Sequence, residues 1–165
     1  MLQRHAYTLI EILIVISVIA ILSVSLVFSF GGLQKKANFD DQKIQTLHLM
    51  QKARSLALSS MVVNDDTSNP EPTDYYLLAI TPITLTLSAH GTEGTDLSLD
   101  TLDFGTDYSI DKSLDIYYFP PNAEICFTDP ECTDVSDQTF TLTSSDSKHS
   151  ATFSITAQGG YPEVE

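Results

Sequence analysis

The chain has 165 residues, which suits one domain with its own core plus an additional segment. Lys and Arg number 8 against 22 Asp and Glu, for a formal net charge of −14 at pH 7, and after Met61 only Lys112 and Lys148 are basic. This acidic region repels phosphate backbones, which argues against direct nucleic-acid binding. Solubility accounts for the acidity most simply, and binding of a hard cation such as Ca²⁺ is the alternative.

A long apolar run lies near the start of the chain. From Ile12 to Phe30 it contains nineteen residues without a charge, a proline or a glycine. As a helix it would measure about 28 Å, close to the hydrocarbon thickness of a bilayer. It is too long for the usual core of a signal peptide and no A-x-A site follows it, so we predict a retained membrane span. Arg4 before the run and Lys35 and Lys36 after it do not fix its orientation.

Glu11 lies at the mouth of this run. A carboxylate at the edge of a membrane span carries a free-energy cost. The helix macrodipole favours a carboxylate in the first turn of a helix, but it does not explain why the residues before Glu11 are already mostly apolar. The stretch AYTLIEILIVISVIAIL resembles the N-terminal segment of type IV pilins and of the pseudopilins of type II secretion. That family carries a short basic leader, a cleavage point, an aromatic first mature residue, the letters T-L-I-E and a long apolar helix.

The resemblance assigns roles to individual residues. It implies a leader that ends at Ala6, cleavage before Tyr7 and N-methylation of Tyr7 by the prepilin peptidase. Glu11 becomes the fifth mature residue, whose carboxylate neutralises the new α-ammonium group of a neighbouring subunit. Two positions depart from the common pattern, since Ala6 stands where Gly is usual and Tyr7 where Phe is more frequent.

The region after the apolar run predicts an amphipathic continuation of the helix. From Ala37 to about Met61, apolar residues recur at three- and four-residue steps among good helix formers. The turn-forming residues between Asn64 and Pro70 end this segment. Its expected buried stripe consists of Leu47, Met50, Ala53, Ala57 and Met61, widened by Leu56 and Leu58.

The remaining sequence alternates apolar and polar residues in short segments, which is typical of strands. These segments are DYYLLAI, PITLTLSAH, DLSLDTLDFG, SLDIYYF, QTFTLTSSDS and ATFSITAQGGYPEV. Strands without a second helix predict an α+β fold, with a long N-terminal helix packed on an antiparallel β-sheet domain. We predict a leader over residues 1–6, a transmembrane assembly helix over 7–36 and an extracytoplasmic domain over 37–165.

Parts of this domain resemble the H-type minor pseudopilins in particular. The stretch Ala53–Ala57 is similar to an A-R-x-x-A pattern of that subgroup, with Arg54 as its basic residue; an arginine on a helix flank with no such role is the alternative. The stretches IYYFPPNAEICF, TFTLTS and FSITAQGG are similar to the closing strands of the subgroup. Asn122 stands where Gly is usual and still permits a left-handed backbone.

Cys126 and Cys132 lie in ICFTDPECTD, without the C-x-x-C spacing of a redox or zinc motif. Outside the cytoplasm they would form a disulfide that closes a short loop; two independent thiols are the alternative. Carboxylates of the same region are candidate Ca²⁺ ligands, although their spacing fits no EF-hand. They are Asp129, Glu131, Asp134 and Asp137. We expect no other cofactor.

Catalytic patterns are missing from the sequence. It contains no G-x-S-x-G, H-E-x-x-H or phosphate-loop motif, and its four histidines lie far apart along the chain. The aromatic run Tyr117–Phe119 resembles a ligand platform, but alternation along a strand must place part of it in the core. We therefore predict that the chain is not an enzyme.

The leading functional expectation is a structural subunit of a type IV pilus or a type II secretion pseudopilus. Its expected partners are other pilin subunits, the prepilin peptidase and an inner-membrane assembly platform. Until assembled, it would span the cytoplasmic membrane once with its C-terminal domain outside the cytoplasm. The alternative is a bitopic surface protein with an independent binding domain, for which the N-terminus is only a signal anchor. Pilus and pseudopilus, and shaft and tip, stay open.

Overall fold

The computed structural model describes residues 9–59, 62–63, 71–133, 136–156 and 162–164 of the protein; the side chains of 25–30 and 62–63 are not described. The chain divides into two compact units, Met1–Asn38 and Phe39–Glu165. Helix α1 spans Leu9–Ser59, and the strands of the described residues all lie in the second unit.

The two helical segments predicted from the sequence form one helix, α1, which continues through Gly31 and Gly32. A helical glycine costs about 1 kcal/mol relative to alanine. At neither glycine would an added Cβ meet a heavy atom within 4 Å, so close packing does not account for them. The lowest intrinsic helix propensity of α1 therefore falls at these two residues.

The second half of α1 carries the predicted apolar stripe. Its buried residues are Phe39, Thr46, Leu49, Met50, Ala53 and Ala57. Leu47 and Leu56 pack against the core while partly exposed. The prediction for Leu58 is wrong: its side chain is 52% exposed, because one step beyond Ala57 rotates it by about 100° around the helix. Met61 lies outside the described residues.

Ten strands follow α1 in the described part of the chain. They are β1 Val62–Val63, β2 Glu71–Ile80, β3 Thr84–Gly91, β4 Asp96–Asp103, β5 Tyr108–Ile110, β6 Leu114–Phe119, β7 Glu124–Phe127, β8 Gln138–Ser144, β9 Ser150–Ile155 and β10 Pro162–Val164. The six predicted segments overlap β2, β3, β4, β6, β8 and β9. The sequence pattern missed β1, β5, β7 and β10, since strands of two to four residues are too short to show alternation.

The strands form two antiparallel sheets, whereas the sequence predicted one. The larger has the order β4-β3-β2-β6-β7, with β1 paired to β2, and the smaller has the order β10-β9-β8-β5. Leu78 of β2 lies between Leu87 of β3 and Ile116 of β6, so these apolar residues share one face. The predicted α+β fold, with an N-terminal helix packed on antiparallel β structure, is confirmed.

One hydrophobic core joins the second half of α1 to both sheets. In β3, the alternation of sequence places Leu85, Leu87 and Ala89 inside and the polar residues between them outside. In the smaller sheet, Phe140 and Phe153 are cross-strand partners whose rings stack with centroids 4.9 Å apart. The predicted alternation therefore selects the correct core face in these strands.

Candidate functional site

The first part of α1 presents an apolar surface on all sides. Every described side chain from Leu9 to Val24 is exposed, and the large apolar ones range from 50% exposure at Val18 to 81% at Leu9. Exposed apolar surface of this extent marks a site of interaction with a membrane or with other proteins. The candidate functional site is therefore this segment, Leu9–Val24, which we call the apolar segment.

Glu11 is the sole charged residue between Leu9 and Gln34. It lies exposed in the first turn of α1, where the positive end of the helix dipole favours a carboxylate. Ser17 and Ser23 donate hydrogen bonds of 2.8 Å to the carbonyl oxygens of Leu13 and Ile19. Because these hydroxyls are satisfied within the helix, their polarity does not oppose burial of the apolar segment in an apolar environment.

The predicted processing residues Ala6 and Tyr7 lie outside the described residues. The pairing of a Tyr7 α-ammonium group with Glu11 therefore stays a prediction. Within the described part of the chain, no helix satisfies the combined length and hydropathy expected of a transmembrane span.

The loop between β7 and β8 brings together the two cysteines. Cys126 and Cys132 form a disulfide in the structure. Inside the loop, the Asp129 carboxylate accepts hydrogen bonds from the hydroxyl and the backbone N–H of Thr133. These two hydrogen bonds hold the pKa of the Asp129 carboxyl below its usual value, and the bond from the hydroxyl has the larger effect. Asp129 thus stabilises the fold of its own loop.

The candidate calcium ligands are not gathered into a site by the described residues. Glu131 and Asp137 are exposed, and Asp134 lies outside the described residues. In the described part of the chain, no three or more His, Cys, Asp and Glu side chains lie close enough together to hold a metal ion. Calorimetric titration with Ca²⁺ tests the prediction, and absence of heat would remove it.

The residues that resemble the H-type pattern occupy defined places in the second unit. Arg54 lies on α1, and its guanidinium is close enough to the buried Tyr118 phenol to oppose part of the rise in pKa that burial causes there. Asn122 is exposed in the turn between β6 and β7. The left-handed backbone of that turn falls on Ala123, with φ of 53°, one residue after the position predicted to permit it.

The aromatic run on β6 divides between the two faces of its sheet. Tyr118 is fully buried in the core, whereas Tyr117 and Phe119 lie on the opposite face together with Tyr75 of β2. Sequence reasoning missed Tyr75 and His90 as members of this aromatic group. The alternation along β2 indicates that Tyr75 and the buried Tyr76 face opposite sides of the sheet. It does not show which strands lie beside β2, so it could not predict the contacts of Tyr75.

A shallow groove of about 290 Å³ lies between the second half of α1 and β4. Ile44 and Leu49 line its helix side and Leu102 its strand side. At its margin the Lys52 ammonium donates a 2.6 Å hydrogen bond to the Asp100 carboxylate, which lowers the pKa of Asp100. This exposed ion pair fastens the helix to the strand. His48 and Asp100 are among the residues that line the groove.

Comparison with known proteins gives a family match at the N-terminus. Residues 1–27 match the model of the prokaryotic N-terminal methylation motif, so the match covers the predicted leader, Glu11 and the apolar segment. No curated protein and no solved structure matches the chain. The motif supports a type IV pilin-like family and a precursor that is processed at its N-terminus. The order of elements along the chain, an exposed apolar helical segment followed by an α+β domain, agrees with this motif.

Proposed function

We propose that the protein is a structural subunit of a type IV pilus or of a type II secretion pseudopilus. The observation that carries the proposal is the methylation motif at residues 1–27, which coincides with an exposed apolar helix whose sole charge is Glu11. An apolar helix of this kind needs a lipid environment or the equivalent helices of other subunits to cover it. Assembly into a filament provides the second environment.

Processing supplies a positively charged partner for the Glu11 carboxylate. Hydrolysis of the peptide bond between Ala6 and Tyr7 leaves a carboxylate on Ala6 and an α-amino group on Tyr7. The peptidase then transfers a methyl group from a sulfonium methyl donor to the deprotonated amine, and the methylated nitrogen becomes protonated as an ammonium group. In an apolar environment an isolated carboxylate and an isolated ammonium each carry a large desolvation cost. Pairing Glu11 of one subunit with Tyr7 of the next reduces both costs and fixes the axial register of the two helices.

Before assembly, the proposed location is the cytoplasmic membrane, with the predicted transmembrane helix of residues 7–36 as a single-pass anchor. The domain that starts near residue 37 lies on the extracytoplasmic side, where its disulfide between Cys126 and Cys132 is chemically stable. Other pilin-like subunits, the prepilin peptidase and an inner-membrane assembly platform are the proposed partners. A minor subunit of the H type is the finer assignment, supported by the A-R-x-x-A stretch at Ala53–Ala57 and by the strand-rich domain.

Intact-mass measurement of the membrane form tests the processing step directly. We expect a chain that begins at Tyr7 and carries one added methyl group. A chain that keeps Met1 would contradict the proposal and favour the signal-anchored surface protein instead. The Ala6→Leu variant, with a bulky residue before the cut, should accumulate as the unprocessed precursor.

The role of Glu11 is tested by incorporation into filaments, measured by cross-linking to neighbouring subunits. We expect Glu11→Gln and Glu11→Ala to be processed normally and to be incorporated poorly, because the ammonium group of Tyr7 then has no carboxylate partner. Glu93→Gln is the matched control, since it removes one exposed carboxylate from the turn between β3 and β4. Unchanged incorporation of both Glu11 variants would show that the pairing role is wrong.

A further inference from the structure

An aromatic group lies on the face of the larger sheet that points away from the core. The Tyr75 ring stacks on the His90 ring with centroids 4.6 Å apart and planes inclined by 17°. Tyr117 meets Tyr75 edge-on at 5.3 Å, and Phe119 lies 5.9 Å from it. We call these four residues the Tyr75 surface. They lie on the adjacent strands β3, β2 and β6, so the sheet itself fixes their spacing.

The Tyr75 surface is partly open to solvent. Tyr75, His90 and Phe119 are half-buried, and Tyr117 is the buried floor between them. Tyr75 alternates with Tyr76, which is buried in the core, so the two tyrosines serve opposite faces of β2. Rings held by each other and by a sheet lose little conformational entropy when a partner covers them, which favours them as binding groups.

Carboxylates surround the Tyr75 surface. The Asp96 carboxylate lies 2.5 Å from the ring nitrogen Nδ1 of His90, and the exposed Asp74 precedes Tyr75 at an irregularity of the β2–β3 pairing. On the other side, Asp115 is two residues before Tyr117 on β6 and therefore on the same face. Asp129 stands in the disulfide loop that follows Cys126, the cross-strand partner of Tyr117.

These carboxylates also act electrostatically on the phenols of Tyr75 and Tyr117. Burial is the first cause that raises the pKa of the Tyr75 phenol, and Asp96 and Asp74 raise it further. Burial likewise raises the pKa of Tyr117, with added contributions that include Asp115 and Asp129. All four carboxylates therefore contribute negative potential at the phenols of the Tyr75 surface.

The chemistry of this surface selects a cation. The faces of aromatic rings carry partial negative charge and attract an ammonium or guanidinium group, and the surrounding carboxylates add to that attraction. An anionic partner would be repelled, and a purely apolar one would desolvate carboxylates without pairing them. Arginine suits the site better than lysine, because its planar guanidinium both stacks on rings and bridges carboxylates.

We propose that the Tyr75 surface and its surrounding carboxylates bind an arginine-bearing segment of a partner protein. The proposal does not depend on the function proposed for the apolar segment, since every residue that carries it lies in the second unit. It gives the acidic domain a role in partner recognition and places that role on one surface. The net charge of the domain alone does not identify such a surface.

The test uses the full-length chain in detergent, which keeps the apolar segment covered. Its probes are a short glycine-serine peptide that contains arginine and a matched peptide in which uncharged citrulline replaces arginine. Isothermal titration should give an affinity for the arginine peptide at least about tenfold above that for the citrulline peptide. Tyr75→Leu should weaken arginine binding by about threefold to fivefold through loss of the ring face.

Further variants separate ring, charge and fold. Phe119→Leu repeats the ring test at a second position, and Asp96→Asn removes charge while keeping the size of the side chain. The matched control Glu163→Gln removes an exposed carboxylate from the smaller sheet and should leave binding unchanged. Circular dichroism establishes that each variant is folded before its affinity is interpreted.

Two results would overturn the proposal. One is equal affinity for the arginine and citrulline peptides, which would show that charge is not recognised. The other is unchanged arginine binding in folded Tyr75→Leu and Phe119→Leu chains, which would place the binding elsewhere. Self-association that is lost in these same variants would replace the partner protein with a second copy of this chain.

Discussion

The hydroxyl of Tyr118 lies fully buried with no hydrogen-bond partner among the described residues. Its ring faces Tyr76 across the β2–β6 pair, in the centre of the larger sheet. Burial raises the pKa of this phenol far above its usual value, and the Arg54 guanidinium opposes the rise only in part. The substitution Tyr118→Phe keeps the ring and removes the ionisable group, so its effect on stability should depend strongly on pH.

The sign and size of that effect follow from proton linkage. Below a pH of about 10, the ordinary pKa of tyrosine, both the folded and the unfolded chain keep the Tyr118 proton, so it adds no pH dependence. At higher pH the unfolded chain loses this proton while the folded chain retains it. The free energy of unfolding then falls by about 1.4 kcal/mol for each pH unit, until the pH passes the folded pKa. Tyr118→Phe should remove this loss.

At neutral pH the same substitution removes a buried polar group without a described partner. We therefore expect the free energy of unfolding at pH 7 to stay unchanged or to rise by up to about 1 kcal/mol. Denaturant unfolding at a series of pH values, in detergent and followed by circular dichroism, measures both quantities. The chain has 7 tyrosines and no tryptophan, so absorbance of the phenolate band reports tyrosine ionisation without interference.

Tyr108→Phe is the matched control, because the Tyr108 phenol is half-buried and its pKa is raised by burial first and by neighbouring carboxylates after that. Its effect on the alkaline slope should be smaller than that of Tyr118→Phe. An alkaline slope in Tyr118→Phe equal to that of the unsubstituted chain would refute the reasoning. A loss of more than about 1 kcal/mol at pH 7 would also do so, since it would mean that the hydroxyl is well satisfied.

Three further sets of substitutions test other parts of the second unit by denaturant unfolding. The Cβ added by Gly91→Ala would overlap the buried Glu71 carboxyl, so we expect the free energy of unfolding to fall by about 1–2 kcal/mol. In a double-mutant cycle, Glu71→Ala should largely cancel this loss, whereas additive losses would contradict the overlap. Replacing Cys126 and Cys132 by serine removes a disulfide with a sequence separation of 6 and should lower the free energy of unfolding by about 2 kcal/mol. Mass mapping that finds two free thiols in the unsubstituted chain would contradict the disulfide. Met50→Ala truncates a fully buried side chain and should cost about 2–5 kcal/mol; a loss near zero would place Met50 outside the core.

The helix was readable from the sequence because its information is local. Good helix formers and a 3.6-residue period predicted the buried positions Met50, Ala53 and Ala57 of α1. The period could not show how wide the buried stripe is, since that depends on what packs against it, and Leu58 was misassigned for this reason. Local pattern therefore gave the axis of the stripe and not its edges.

The sheets were only partly readable, because strand pairing is not local. Alternation identified most strands and their inner faces, but it cannot say which strands are neighbours. The Tyr75 surface exists because β2 pairs with β3 on one side and with β6, some forty residues later in the chain, on the other. That pairing brings Tyr117 beside Tyr75, and the division of the strands into two sheets depends on the same long-range contacts.

The two proposed interactions depend on opposite physical forces, and this separates them experimentally. The apolar segment has one charge in its whole length, so its association depends mainly on burial of apolar surface, which salt does not weaken. The Tyr75 surface attracts its partner across exposed charges, and such attraction is screened as the Debye length falls from about 10 Å at 0.1 M to about 3 Å at 1 M ionic strength. Binding of the arginine peptide should therefore be lost at high salt while cross-linked assemblies persist. If both were lost together, a single electrostatic surface would have to serve both interactions, and the apolar segment would no longer account for assembly.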